Sequence, residues 1–133
     1  MQIPPEVKTY KLHSSLIWFD ENGILFSSPI LNVTPSTNME DIKKEMDILR
    51  GIIGKEKVCL VAESHPKSKP PAKEHRDFIA EEINSVIKAL AVITNSPVSK
   101  MIANLFFGLK PPPYPTKMFS NQKDAVEWIK QYL

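Results

Sequence analysis

The apolar residues near the start of the chain follow the two-residue period of strands. Residues 10–19 place apolar side chains at one parity in a segment rich in β-preferring residue types, which predicts a strand. The polar segment Asp20-Glu21-Asn22-Gly23 follows, and its Asn-Gly pair favours a tight turn. A second strand over residues 24–28 would complete a hairpin.

The period then changes to the three and four residues of an amphipathic helix. Apolar residues recur at that spacing from residue 39 to residue 53, which predicts the first helix. Thr37 and Glu40 form a capping-box pattern at its start, and Gly54 can take the left-handed conformation that ends it.

The rest of the chain alternates short apolar runs with helical patterns. Strands are predicted at 58–62, 89–94 and 116–119, and helices at 72–87, at 97–109 and after Ser120 or Asn121. The order β-β-α-β-α-β-α-β-α predicts one α/β domain over residues 1–133, with residues 1–8 as a loose lead-in. We expect an N-terminal hairpin, a mixed and mainly parallel sheet of about five strands, and about four helices.

Charge and composition exclude several classes of protein. The net charge is +2 and the lysines are dispersed, so we expect no nucleic-acid partner. No apolar segment approaches the length of a membrane span and the start lacks a signal-peptide pattern, which predicts a cytoplasmic protein without integral membrane association. The single cysteine, Cys59, stands in an apolar run and is expected to be a buried, inert residue.

Catalytic and metal-binding patterns are missing from the sequence. His13, His65 and His75 fall on a predicted strand, loop and helix, without the spacing of a metal site. The chain has four glycines and neither a Gly-x-Ser-x-Gly elbow nor a phosphate-binding glycine loop. We therefore expect no enzyme activity, no metal and no cofactor.

One candidate binding site follows the predicted strand at 89–94. Ligands of open α/β sheets gather at the carboxyl ends of the strands, and the amides of a first helical turn favour anions. Ser96, Ser99, Lys100 and Asn104 would then contact a ligand or partner. The alternative is that Ser96 caps the helix, Ser99 is solvated and Asn104 binds the backbone of a neighbouring loop.

The stretches SPVSKMIANLFFGL at 96–109, PTKMF at 115–119 and AVEWI at 125–129 carry a family resemblance that extends over nearly the whole chain. The chain resembles the STAS and SpoIIAA-like proteins, especially small stand-alone bacterial members, whose fold is related to that of CRAL-TRIO lipid-transfer domains. In the anti-sigma-factor antagonists of this family, a serine after the third strand is phosphorylated in a non-enzymatic switch. The corresponding region here, SHPKSKPP at 64–71, lacks their Asp-Ser pair.

Ser68 is the candidate for phosphorylation in that region, because Lys67 and Lys69 flank it near a predicted helix start. The alternative is an ordinary cap or loop serine.

Two functions follow from the sequence as hypotheses. The first is a non-catalytic regulatory or protein-interaction domain of STAS-like type that can also sense a small anion. The second is a carrier of a small apolar ligand or lipid, in the manner of CRAL-TRIO domains. Phe107 or Leu109, if exposed on the helix at 97–109, would suit a protein partner, a homodimer or a lipid.

Overall fold

The computed structural model describes residues 1–69, 72–94, 96–97, 100–101, 104 and 112–133. They form a six-stranded sheet in the order β1 to β6. The strands are β1 (Tyr10–Lys11), β2 (Ser15–Phe19), β3 (Leu25–Pro29), β4 (Val58–Glu63), β5 (Ile87–Ile93) and β6 (Thr116–Phe119). The helices are α1 (Met39–Ile53), α2 (Lys73–Val86) and α3 (Gln122–Ile129), and a short 3-10 turn, Lys130–Tyr132, follows α3.

The sheet is mixed and mainly parallel, as the order of the elements predicts. The pairs β1–β2 and β2–β3 are antiparallel, whereas β3–β4, β4–β5 and β5–β6 are parallel. Four neighbouring strands, β3 to β6, therefore end at the same side of the sheet, which we call the carboxyl edge. Loops that follow these strands meet there, and ligands of α/β sheets bind at such an edge.

The prediction of one continuous strand over residues 10–19 is wrong, because this segment forms two strands. The chain turns at residues 12–14, where the amide of Leu12 donates to the carbonyl of Ser15 at 2.8 Å. The two parts pair with each other as β1 and β2. Leu12 is buried like the apolar residues of β2, so the hydrophobic pattern continues through the turn. This additional reversal is the reason the sheet has six strands instead of about five.

The start of α1 also differs from the capping box of Thr37 and Glu40. Asn38 is the N-cap, and its side-chain oxygen accepts from the amide of Glu40 at 2.8 Å. The amide of Asn38 itself donates to the hydroxyl of Ser36 at 3.1 Å, which fixes the cap residue from the preceding side. The predicted end is confirmed, since Gly54 has a φ of 82° and its amide donates to Arg50 at 2.9 Å.

Replacing Asn38 with alanine should lower the free energy of unfolding by about 1 kcal/mol, because the amide of Glu40 loses its acceptor. Thr37→Ala is the matched control and should change it by less than about 0.5 kcal/mol. Urea denaturation followed by circular dichroism measures both. An equal loss of unfolding free energy in the two variants would contradict the assignment of Asn38 as the N-cap.

The other helices follow the sequence closely. Asn121 caps α3 by accepting from the amide of Asp124 at 2.9 Å, so the second of the two predicted caps is the correct one. Helix α2 continues into β5 without a loop, which moves the start of that strand from residue 89 to Ile87. In the helix predicted at 97–109, the described residues Pro97, Lys100, Met101 and Asn104 are helical. Phe107 and Leu109 lie outside the described residues.

Both faces of the sheet are covered. Among the described residues, the buried cluster on the face under α1 and α2 contains nine apolar residues: Leu12, Ile17, Leu25, Leu49, Leu60, Val86, Ile87, Leu90 and Val92. The cluster on the face under α3 contains ten: Trp18, Ile24, Phe26, Cys59, Val61, Ala89, Ala91, Ile93, Ala125 and Ile129. Successive residues at 59–61 of β4 and 89–93 of β5 alternate between the two sets, because strand side chains point to opposite faces.

The segment expected to be a loose lead-in is part of the α3 face. Met1, Ile3 and Val7 pack against its core cluster, and the amino group of Met1 forms an ion pair with Glu63. These apolar side chains stay out of water by covering the sheet. Within the described ranges, none of the helices is both long and apolar enough to cross a bilayer.

Candidate functional site

A cleft opens at the carboxyl edge where β5 and β6 end. The amide of Thr94, the first residue after β5, donates to the carbonyl of Phe119 at 2.9 Å, so the two strand ends lie side by side. The cleft has a volume of about 620 Å³. Its described lining has four polar residues, Thr94, Ser96, Lys100 and Ser120, and three apolar ones, Pro97, Met118 and Phe119.

Two of the four predicted binding residues line the cleft. Ser96 and Lys100 line the cleft together, one helical turn apart, and the amide of Lys100 donates to the carbonyl of Ser96 at 3.0 Å. Asn104 is helical and exposed, but it is not among the lining residues. Ser99 lies outside the described residues.

Five lining residues are not among the predicted contacts: Thr94, Pro97, Met118, Phe119 and Ser120. Met118, Phe119 and Ser120 are missing from the prediction because β6 was not treated as the neighbour of β5. One signal was available, since Ser120 follows a strand that was predicted correctly. In a parallel sheet, a polar residue in that position lies at the same edge as the loop after β5.

Among the described lining residues, the cleft carries one cation. Lys100 is exposed, is the one charged residue among the described lining residues, and forms no ion pair with any residue in the described ranges. The hydroxyls of Thr94 and Ser120 can donate hydrogen bonds close to it. This combination of an ammonium group and hydroxyl donors suits a negatively charged group.

The apolar side of the cleft is held in place by aromatic contacts. The ring of Phe119 lies 5.6 Å from that of Trp128, and the ring of Trp128 lies 5.1 Å from that of Tyr132. The Lys117 ammonium group lies 5.5 Å from the centre of the Phe119 ring. Phe119 is therefore a fixed part of the wall, because α3 and the turn after it support its ring from behind.

His65 links two loops at the same edge of the sheet. It is 8% exposed, and its Nε2 lies 2.9 Å from the carbonyl oxygen of Ile30. The amide of Lys67 donates to its Nδ1 at 3.0 Å. These partners fix the neutral tautomer with hydrogen on Nε2, so the ring connects the loop after β3 to the loop after β4.

Replacing His65 with alanine should therefore cost about 2 kcal/mol of unfolding free energy, because the Ile30 carbonyl and the Lys67 amide both lose a partner. His75→Ala is the matched control. It removes the same ring from a half-buried position on α2 and should cost less than about 1 kcal/mol. Chemical denaturation of both variants measures the difference, and an equal cost would show that the His65 link does not stabilise the fold.

Ser68 lies beside this link rather than at a helix start. Its amide donates to the His65 carbonyl at 3.1 Å, and the residue is half-buried. Helix α2 begins at Lys73 with Ala72 as its N-cap, so Ser68 does not cap this helix. Of the two ordinary roles considered for Ser68, a cap and a loop serine, the structure shows the loop serine. A phosphate on Ser68 would project from the loop between Lys67 and Lys69, and its phosphorylation stays a prediction.

The described residues provide neither a reactive cysteine nor a cluster of metal ligands. Cys59 is buried, and burial raises the pKa of its thiol while the neighbouring Lys88 ammonium opposes that rise. Its thiol is therefore protonated and weakly nucleophilic at neutral pH. Among the described residues, no three or more His, Cys, Asp or Glu side chains are grouped closely enough to hold a metal ion.

Comparisons with known proteins agree with this architecture. The chain is similar to the crystal structure of an uncharacterised protein of the DUF3478 family with a SpoIIAA-like fold, from Shewanella loihica PV-4. The TM-score is 0.57 at 16% sequence identity, over 91% of this chain and 98% of that one. The SpoIIAA-like fold that the sequence resemblance implies is thereby confirmed.

The comparison with curated proteins gives no match. A family model described as a domain of unknown function, DUF7793, matches residues 17–133, from within β2 through β6, together with α1, α2 and α3. The chain therefore belongs to the DUF7793 family.

Proposed function

We propose that this protein is a non-catalytic regulatory or interaction domain of STAS-like type that acts in the cytoplasm. It binds an anionic group in the cleft between β5 and β6, either on a partner protein or as a small anion. The observation that supports this is Lys100, an exposed cation without an ionic partner among the described residues, at the edge where α/β sheets bind ligands.

The described lining of the cleft favours binding over catalysis. It contains no Asp, Glu, His or Cys, which are the side chains that most often serve as general acids and bases or as nucleophiles. His65, on the loop that follows the neighbouring strand β4, has both ring nitrogens engaged by backbone groups. We therefore assign no catalytic residue.

A charge reversal tests the proposal. The Lys100→Glu variant should lose at least one protein captured by the wild-type domain from its native cells, by about tenfold, because repulsion replaces attraction at the contact. Lys55→Glu is the matched control. It makes the same charge change in the exposed loop before β4, at the opposite edge of the sheet. Quantitative mass spectrometry of the three captures measures the loss.

Equal capture by Lys100→Glu and Lys55→Glu would contradict the proposal. The partner can also be a second copy of the chain. In that case sedimentation equilibrium should show a dimer that Lys100→Glu dissociates and Lys55→Glu retains.

The second candidate, a carrier of a small apolar ligand or lipid, is supported by the apolar residues Pro97, Met118 and Phe119 in the described lining of the cleft. A carrier should retain its cargo through purification. Mass spectrometry of an organic extract of the purified protein separates the two functions. A stoichiometric neutral lipid favours the carrier, and its absence together with Lys100-dependent capture favours the interaction domain.

A further inference from the structure

We infer that the cleft between β5 and β6 binds a small monocarboxylate with a short apolar chain. This inference rests on the proposed function, since it names the chemical class of the anion that the same site takes. It is argued from the charge, the shape and the two-sided lining of the cleft.

The charge of the described part of the lining suits one negative charge rather than several. Lys100 is the single cation among the seven described lining residues. A phosphate dianion or a polyphosphate would keep an excess of negative charge there, and such groups are usually held by several cations or by an arginine fork. A carboxylate carries one charge, which one ammonium group balances. The hydroxyls of Thr94 and Ser120 can donate to its oxygens.

The apolar part of the lining suits a hydrocarbon body. Met118 and Phe119 come from β6, and their side chains point to opposite faces of the sheet, Met118 toward the cluster under α1 and α2 and Phe119 toward the cluster under α3. The volume of about 620 Å³ is within the range of small-molecule sites, roughly 300–1,000 Å³. A ligand with a charged head and an apolar chain can therefore contact the ammonium group of Lys100 and an apolar side chain at the end of β6 at once.

A chain-length series tests this inference. The full chain, labelled with ¹⁵N, is titrated with acetate, butyrate and hexanoate, and NMR follows the amide shifts of the described lining residues that carry an amide hydrogen: Thr94, Ser96, Lys100, Met118, Phe119 and Ser120. Each added methylene that enters the cleft should tighten binding about two- to fourfold. Hexanoate should then bind about four- to sixteenfold more tightly than butyrate. Hexanol and hexylamine are the matched probes that keep the chain and remove the negative charge, and both should bind more weakly than hexanoate.

Substitutions at Lys100 and Met118 measure the ionic and the apolar contributions to binding separately. Lys100→Gln should weaken hexanoate about fivefold and Lys100→Glu should abolish its shifts, whereas Lys55→Glu should leave them unchanged. Met118→Ala should reduce the gain from butyrate to hexanoate and leave acetate as in the wild type. Lys100 is exposed, so its variants should keep the wild-type spectrum elsewhere, which is the check on folding.

The results that would overturn the inference are specific. Inorganic phosphate binding more tightly than hexanoate would show a site for a dianion. Hexanol binding as tightly as hexanoate would show an apolar site without a role for Lys100. If no carboxylate shifts these residues while Lys100→Glu still removes a captured protein, the inference fails and the proposed interaction function stands.

Discussion

Replacing Trp18 with alanine should lower the free energy of unfolding by about 4 kcal/mol. Trp18 lies on β2 opposite Phe26 of β3, is 1% exposed, and its ring stacks on that of Phe26 with centroids 5.6 Å apart. The substitution removes a large apolar surface and leaves a cavity in the centre of the α3 face, and the two losses add. Urea denaturation followed by circular dichroism measures the change, with the denaturant slope unaltered if the variant remains two-state.

Trp128→Ala is the matched control, because it makes the same chemical change at the rim of the same cluster. Trp128 is half-buried and contacts Phe119 and Tyr132, so its loss should cost about 2 kcal/mol. Trp18→Phe keeps an aromatic ring against Phe26 and should recover about half of the alanine deficit. A Trp18→Ala cost equal to or below that of Trp128→Ala would contradict the central position of Trp18 in the core.

Continuous apolar runs made the central strands predictable from the sequence. Strand β4 was expected at 58–62 and extends from Val58 to Glu63, and β5 was expected at 89–94 and extends from Ile87 to Ile93. A strand covered on both faces has no polar face, so its sequence is apolar throughout and its ends are marked by the first polar residues. Local composition therefore contains the necessary information for these elements.

The errors arose where several local choices are nearly equal in energy. Thr37 and Asn38 are both good N-caps, and only the hydrogen bond to Glu40 shows which one is used. The turn at residues 12–14 contains neither glycine nor proline, and Leu12 stays buried through it. Nothing in the hydrophobic pattern distinguishes such a reversal from a continuous strand.

The candidate site was predictable on one side only. Ser96 and Lys100 follow a buried strand directly, so the general rule for α/β sheets identifies them. The second wall, with Met118 and Phe119, depends on which strand pairs with β5, and pairing is a tertiary property. Asn104 was included by its helical spacing from Lys100, but that spacing continues along the helix and away from the strand ends.

Enlarging Ala91 to leucine should lower the free energy of unfolding by about 3 kcal/mol, at the upper end of overpacking costs. Ala91 is 0% exposed on β5 and belongs with Ala89 and Ala125 to the cluster beneath α3, where small side chains allow the helix to approach the sheet. Three added carbon atoms must displace α3. Because Ser120 directly precedes the cap of that helix, the same change should also shift the NMR signals of the cleft.

Ala62→Leu is the control for this substitution, since Ala62 is half-buried on the neighbouring strand β4 and packs against the cluster on the opposite face. It should cost less than about 1 kcal/mol and leave α3 in place. Thermal and urea denaturation measure the two stabilities, and NMR spectra report the position of α3. If Ala91→Leu were as stable as Ala62→Leu, the sheet and α3 could not be in direct contact at Ala91, and the support of the cleft by α3 would have to come from elsewhere in the fold.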